Sequence, residues 1–196
     1  MLSKIILASK SKVRKDILDK NNIESVVEPS NVDEDIVKLS LLKENASPEI
    51  ISKNLAELKA NKISAKMQDE IVLGADSVID LEGELISKPE SRKEAMTILK
   101  KLNGKVHSLI SSVCISKNGS MIWNYTDSSE LKMKNFSEEE LSTYLNKIKT
   151  KTLLDYGVYQ VEADGLDLFE YIKGDINSIM GLPIKDIINY IKNYKI

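Results

Sequence analysis

At 196 residues the chain can bury a substantial core, and its 28 basic against 30 acidic side chains, a net charge of −2, leave no basic face of the kind that grips nucleic acid. No apolar run approaches the ~18 residues that span a bilayer, and the short apolar start from Met1 to Ser9 lacks the length of a secretory signal core. A single cysteine, Cys114, excludes an internal disulfide and any multi-cysteine metal site, so the expectation is one domain over residues 1–196 in a reducing cytoplasm, with small ligands as partners rather than nucleic acid or membrane.

Residues 2 to 8 are apolar and suit a first strand, and Val13, Ile17 and Leu18 then recur at helical spacing, which predicts strand, polar loop, helix. A short strand near Glu24 to Val27 precedes an acidic loop from Pro29 to Asp35. Ser47-Pro48-Glu49 is a helix start, with a capping hydroxyl, proline in the first turn and an acid beside it, and the helix should reach about Lys66. The run from Ile71 to Ile79 predicts a central strand, followed by a hairpin turn over Leu81 to Leu85. Ser91 to Glu94 and Ser137 to Glu140 both have capping-box spacing, each opening an amphipathic helix. Between those helices, β-rich stretches from Val106 to Ser116 and from Met121 to Met133 flank Asn118-Gly119, a hairpin signal. The last third predicts short strands, a loop at Gly165 and Leu166, and a terminal helix with Ile184, Ile187, Ile188 and Ile191 aligned. Strands and helices alternate without a strict βαβ rhythm, which predicts an α/β fold with a mixed sheet flanked by helices.

The chemistry-bearing residues sit where packing alone would not put them. Asp76 closes the apolar run Ile71-Val72-Leu73-Gly74-Ala75, and Lys88, held extended by Pro89, returns beside it across the short hairpin. A buried carboxylate must be partnered or neutralised, and an acid with a lysine beside it is a minimal apparatus for a metal and a phosphate. Glu34, Asp76 and Glu162 lie in three segments, each beside a β-compatible run, and such a trio suits a hard cation bound through carboxylates and substrate phosphates; a solvated loop acid is the competing reading of Glu34. Ser9, Ser11 and Arg14 lie at the junction of the first strand and first helix, where free N–H groups and the helix dipole favour an anion. The alternative there is a Ser11 that only caps the helix and a solvated Arg14. Of the 28 basic residues only Arg14 and Arg92 are arginines, the better bidentate partners for phosphate. Lys59, on the helix after Pro48, would otherwise be an exposed lysine. His107, the one histidine, excludes a histidine-rich metal site and reads as structural, and Cys114 and Trp123 read as core or half-buried strand residues.

Taken together, Leu7-Ala8-Ser9-Lys10-Ser11 with Arg14, Val32-Asp33-Glu34, Ala56 with Lys59-Ala60, Gly74-Ala75-Asp76-Ser77, Ser87-Lys88-Pro89, Leu102-Asn103-Gly104-Lys105-Val106-His107, Gly157 with Tyr159 and Glu162, and Ile179-Met180-Gly181-Leu182-Pro183 resemble the Maf family of nucleoside triphosphate pyrophosphatases. The resemblance runs nearly end to end and in the family's order. It implies an elongated α/β fold with two lobes and a central cleft, in the same broad group as the inosine triphosphatases. It also implies hydrolysis of a nucleoside triphosphate between its α and β phosphates, with a divalent cation, Mg2+ or Mn2+. Asp76 matches the family's proposed proton acceptor, and Ser9, Ser11, Arg14, Glu34, Lys59, Lys88 and Glu162 fall on positions used for phosphate, metal or water. Glu162 stands where many members carry glutamine, and this acid, with Leu168-Phe169-Glu170, is similar to the branch that prefers 7-methyl-GTP. The first motif departs from that branch, with Lys12-Val13 in place of its tryptophan. The resemblance further admits a nucleotide-sensing regulator of septum formation with little turnover, and a homodimer is compatible with it; Asp76, Lys88 and Glu162 together favour the enzyme, because sensing needs no water activator.

Overall fold

The computed structural model describes residues 4–161 and 164–194. From the N-terminus it runs through β1 (Ile5–Leu7), α1 (Lys12–Lys20), β2 (Ser25–Val27), α2 (Glu34–Lys43), α3 (Pro48–Ser64), β3 (Ile71–Leu81), β4 (Glu84–Ile86), α4 (Arg92–Leu102) and the long pair β5 (Val106–Lys117) and β6 (Ser120–Met133). After these come α5 (Glu138–Lys147), α6 (Thr150–Tyr156), a short 3-10 turn, β7 (Phe169–Lys173), α7 (Ile176–Ile179) and α8 (Ile184–Tyr194). The starts follow local chemistry: Ser11, Ser47, Ser91 and Ser137 each accept a backbone N–H of their own helix's first turn. Ser137 and Glu140 complete a reciprocal capping box, whereas Glu94 turns its carboxylate to the N–H of Glu90 instead of Ser91. Asn118 and Gly119 both take positive φ, as a two-residue hairpin turn requires.

Besides the single turn of α7, two helices stand where the sequence pattern predicts none. The acidic loop ends at Asp33, whose carboxylate accepts the N–H of Ile36 at 3.1 Å and opens α2 with Glu34 and Asp35 in its favourable first turn. α2 buries no residue at all, so it has no core-facing stripe to read. α6 likewise replaces expected short strands, with Leu153 its one buried side chain.

The strands form one mixed sheet in the order β2-β1-β3-β5-β6-β7. β1 runs parallel to β2 and to β3, while β3-β5, β5-β6 and β6-β7 are antiparallel, and β4 pairs antiparallel with the far end of β3. β1 and β4 share one edge of β3: β1 pairs up to Leu73, and β4 begins only at Ile79. Between them that edge is open. Asp76 therefore lies inside β3 and not at its end, because β5 carries the strand onward by pairing from Val72 to Asp80. Two hydrophobic cores flank the opening. One gathers α4, α5 and α6 on the Leu81, Leu109 and Leu131 stretch of the sheet, and the other packs α1 and α8 on Leu73, Ala75, Val113 and Ile115. Half-buried Met180 touches both, which makes two lobes joined through shared strands with a cleft between them.

α3 lies on the face of β3 that carries Gly74 and Asp76, and it approaches through small residues, with Ala56, Ala60 and Cys114 forming a buried cluster. A Cβ on Gly74 would stand 2.2 Å from the Ala56 carbonyl oxygen and 2.7 Å from the Ala60 nitrogen. Both are backbone atoms, so relief requires moving the helix. Gly74→Ala should cost about 3 kcal/mol or more in urea unfolding, at the upper end for an overpacked core. A loss below about 1 kcal/mol would show that α3 does not depend on this approach.

Candidate functional site

The cleft has a volume of about 640 Å3 and is polar at one end and apolar at the other. Ser9, Ser11, Arg14, Glu34, Lys59, Asp76 and Lys88 all line it, so seven positions expected from five separate stretches of sequence converge. Glu162, the eighth, lies outside the described residues.

At the polar end Asp76 is 4% exposed and Lys59 6%. The close approach of α3 at Gly74 puts the Lys59 ammonium 2.7 Å from Oδ1 of Asp76 and 2.8 Å from Oε1 of Glu34, so one cation bridges both acids. Ser52, also on α3, donates to the Asp76 carbonyl at 3.3 Å. Burial acts to raise the pKa of Glu34, but the charge and hydrogen bond of Lys59, with the charges of Lys38 and Lys88, together hold that carboxyl below its ordinary value. Oδ2 of Asp76 is buried and has no hydrogen-bond partner among the described residues. A buried carboxylate oxygen without a donor is costly, and it marks a place for a water, a cation or a ligand.

Arg14 is neither solvated nor free. It reaches into the open edge of β3, where Nη1 donates to the Ala75 carbonyl at 2.9 Å and to Ser9 Oγ at 3.2 Å, Nη2 to Ser77 Oγ at 3.2 Å and Nε to the Gly181 carbonyl at 2.9 Å. Four of its five N–H groups are thus engaged within the described residues, which leaves one on Nη2 for a phosphate oxygen. Desolvation lowers its pKa, against the raising influence of Asp76 and Glu34. Ser11 caps α1, and Ser9 Oγ accepts both Arg14 and the Ser11 N–H, so these hydroxyls position the loop as well as line the cleft. The other arginine, Arg92, is structural: it holds the Leu145 and Ile148 carbonyls at the end of α5, each at 2.6 Å.

Lys88 approaches from the opposite wall and donates to the Asp155 carbonyl at 2.8 Å. The residue is exposed overall, yet its ammonium is desolvated, and that burial together with the nearby Arg14 charge lowers its pKa. Lys10, Lys38 and Lys151 also line the cleft, so its basic residues outnumber the acids Glu34, Asp76 and Asp155, a balance suited to a polyphosphate. Among the described residues, no three acid, histidine or cysteine side chains are placed together to hold a metal. Glu34 and Asp76 alone make a two-carboxylate donor set with one spare buried oxygen, which fits a hard cation that takes its remaining ligands from substrate phosphates and water.

Ser77, Ser52 and the Gly181 carbonyl were not singled out from sequence. Ser77 follows Asp76 and so faces the other side of the sheet, where it bonds Arg14 and Ser111. Strand alternation could have flagged it, but nothing local could have placed Ser52 or Gly181.

Residues 4–194 match the family described as Maf-like protein. The nucleoside triphosphate pyrophosphatase of Pelagibacter ubique is 65% identical over 195 residues, the whole of both chains. The 7-methyl-GTP pyrophosphatase of Bartonella quintana is 38% identical over 94% of this chain and 92% of its own. Among solved structures, a nucleoside-triphosphatase (dITP/XTP pyrophosphatase) from Mycobacterium abscessus aligns over 96% of this chain and 94% of its own, at 12% identity and a TM-score of 0.47.

The apolar end of the cleft is walled by Ile79, Leu85, Ile98, Leu109, Val158 and Tyr159. The Tyr159 hydroxyl is hydrogen-bonded with Nε2 of His107 at 2.9 Å, and Nδ1 of His107 is buried without a partner among the described residues. Burial depresses the His107 pKa from 6.5 to about 4, so the folded state holds the neutral ring. Its stabilising effect is complete above the unfolded pKa and is lost as pH falls from 6.5 towards 4, on the order of 3 kcal/mol across that window. Urea unfolding of wild type should weaken over this range more steeply than that of His107→Gln, and parallel pH profiles for the two would contradict the neutral buried ring.

Proposed function

Since this chain belongs to the Maf-like protein family, we propose that it is a hydrolase that cleaves a nucleoside triphosphate between its α and β phosphates, giving the monophosphate and pyrophosphate. The observation that carries the reading is Oδ2 of Asp76, a buried carboxylate oxygen with no hydrogen-bond partner among the described residues, in a side chain that lines the cleft together with Arg14, Lys59 and Lys88. The polar end suits the triphosphate, and the apolar end beside Tyr159 suits the sugar and base.

In this mechanism Asp76 orients a water and accepts its proton as the water oxygen bonds to the α phosphorus. The bond from that phosphorus to the bridging oxygen breaks, and pyrophosphate leaves with the electron pair. Arg14, through its remaining Nη2 N–H, and the ammonium groups of Lys59 and Lys88 balance the growing negative charge on the leaving group. Ser9 and Ser11 hold the loop against which the phosphates lie. Glu34 and Asp76 would hold a divalent cation, Mg2+ or Mn2+, which supplies charge neutralisation and Lewis acidity when bound. Glu162 is assigned a part in water or metal handling on the strength of its place in the family motif alone.

The relative named for 7-methyl-GTP and the acid at Glu162 support a modified purine as one substrate to test, within a general role of clearing unwanted nucleotides. No helix among the described residues is long and apolar enough to cross a membrane; the single cysteine and the nucleotide substrate class support action in the cytoplasm.

A panel of normal and modified nucleoside triphosphates with Mg2+ or Mn2+ should release pyrophosphate and monophosphate in equal amounts. Release of orthophosphate would reject cleavage at this bond, and no hydrolysis of any triphosphate would favour a nucleotide sensor. Asp76→Asn should lower kcat by about 100-fold or more while the circular dichroism spectrum is kept, as loss of a general base requires. A variant with near-normal turnover would remove Asp76 from its role.

A further inference from the structure

Lys59 occupies the place that a cation held by Glu34 and Asp76 would need. Its ammonium contacts Asp76 Oδ1 at 2.7 Å and Glu34 Oε1 at 2.8 Å, and among the described residues no other cationic side chain forms an ion pair with either carboxylate. Both of its ion pairs go to acids. The stem is fixed in α3, buried between the face of β3 and the start of α2, so the ammonium has a short range of travel. Glu34 lies at the first position of a helix that buries none of its own residues, so the acid on that side can shift with little loss of packing.

We propose that Lys59 is an internal counter-cation, which holds the Glu34 and Asp76 carboxylates together in the empty cleft and yields that place when a divalent cation arrives with the triphosphate. Two carboxylates this close repel one another unless something positive lies between them, and a lysine does this without the near-ideal geometry that Mg2+ demands. Once Lys59 is displaced, its charge is freed towards the phosphate end of the cleft, where it is needed only while substrate is bound. The unliganded protein then binds metal weakly, and a metal-filled site forms only in company with nucleotide. This rests on the pyrophosphatase reading for its purpose, but its physical content is a competition between two cations and needs no turnover to measure.

The test is direct binding of Mn2+, without nucleotide, to wild type and to Lys59→Met, followed by electron paramagnetic resonance of free Mn2+. Removing the competing charge should tighten binding by at least about tenfold. Thermal unfolding should also show Mn2+ stabilising Lys59→Met more than wild type, because the variant's two carboxylates have lost the ammonium that bridges them. Equal or weaker Mn2+ affinity in the variant overturns the proposal while leaving the pyrophosphatase assignment intact. A second measurement uses the wild-type protein: the Lys59 ammonium 15N resonance should move when Mg2+ and an α,β-methylene triphosphate are added together. A resonance that stays in place under saturating analogue shows that Lys59 never leaves the acids, and it too overturns the proposal.

Discussion

The ion pair of Lys59 with Asp76 depends on how closely α3 can approach β3. Only a residue without a side chain at Gly74 lets the backbone of Ala56 and Ala60 descend onto the strand, and that descent carries Lys59 to the level of Asp76. Breaking a buried pair by removing one partner typically costs about 3–5 kcal/mol, because the other charge is stranded. The same contact thus fixes the helix, neutralises a buried acid and draws in Glu34 from α2. Packing and chemistry share one set of atoms here.

The cleft itself follows from sheet topology. β1 leaves β3 after Leu73 and β4 joins at Ile79, so the chain changes from parallel to antiparallel neighbours across an unpaired stretch of edge. Backbone carbonyls exposed there need donors, and the guanidinium of Arg14 supplies one to Ala75 while tying in Ser9, Ser77 and Gly181. Arg14 is therefore as much a structural tie between strand edges as a ligand for phosphate. Its scarcity in a lysine-rich chain makes sense on this ground, since a lysine has no planar fork with which to meet four acceptors at fixed angles.

Much of this was legible in the sequence, and the failures have physical causes. The apolar run before Asp76, the hairpin to Lys88 and the serine caps are local signals, and the structure places them as read. The expected strand from Ile71 to Ile79 already contained Asp76, but the change of edge partner on either side of it was not legible, because a charged residue ends an apolar run whether the strand stops or its partner changes. Helix α2 was hidden because it buries nothing, so its acidic start read as a loop although Asp33 caps it. The bridging role of Lys59 was also hidden: helical spacing puts it beside buried Leu55 and Ile63, but only the tertiary approach at Gly74 shows which charges it meets. Ser77 and Gly181 enter the site through Arg14, over separations that no local pattern encodes.

The account makes Asp76 the base for a water that attacks the α phosphorus, with pyrophosphate as the leaving group. Hydrolysis in 18O-labelled water, followed by mass spectrometry of both products, tests this most directly. The label should appear in the nucleoside monophosphate, with the pyrophosphate unlabelled. Label in the pyrophosphate would place the attack on the β phosphorus and contradict the arrangement of Asp76, Arg14 and the two lysines derived above.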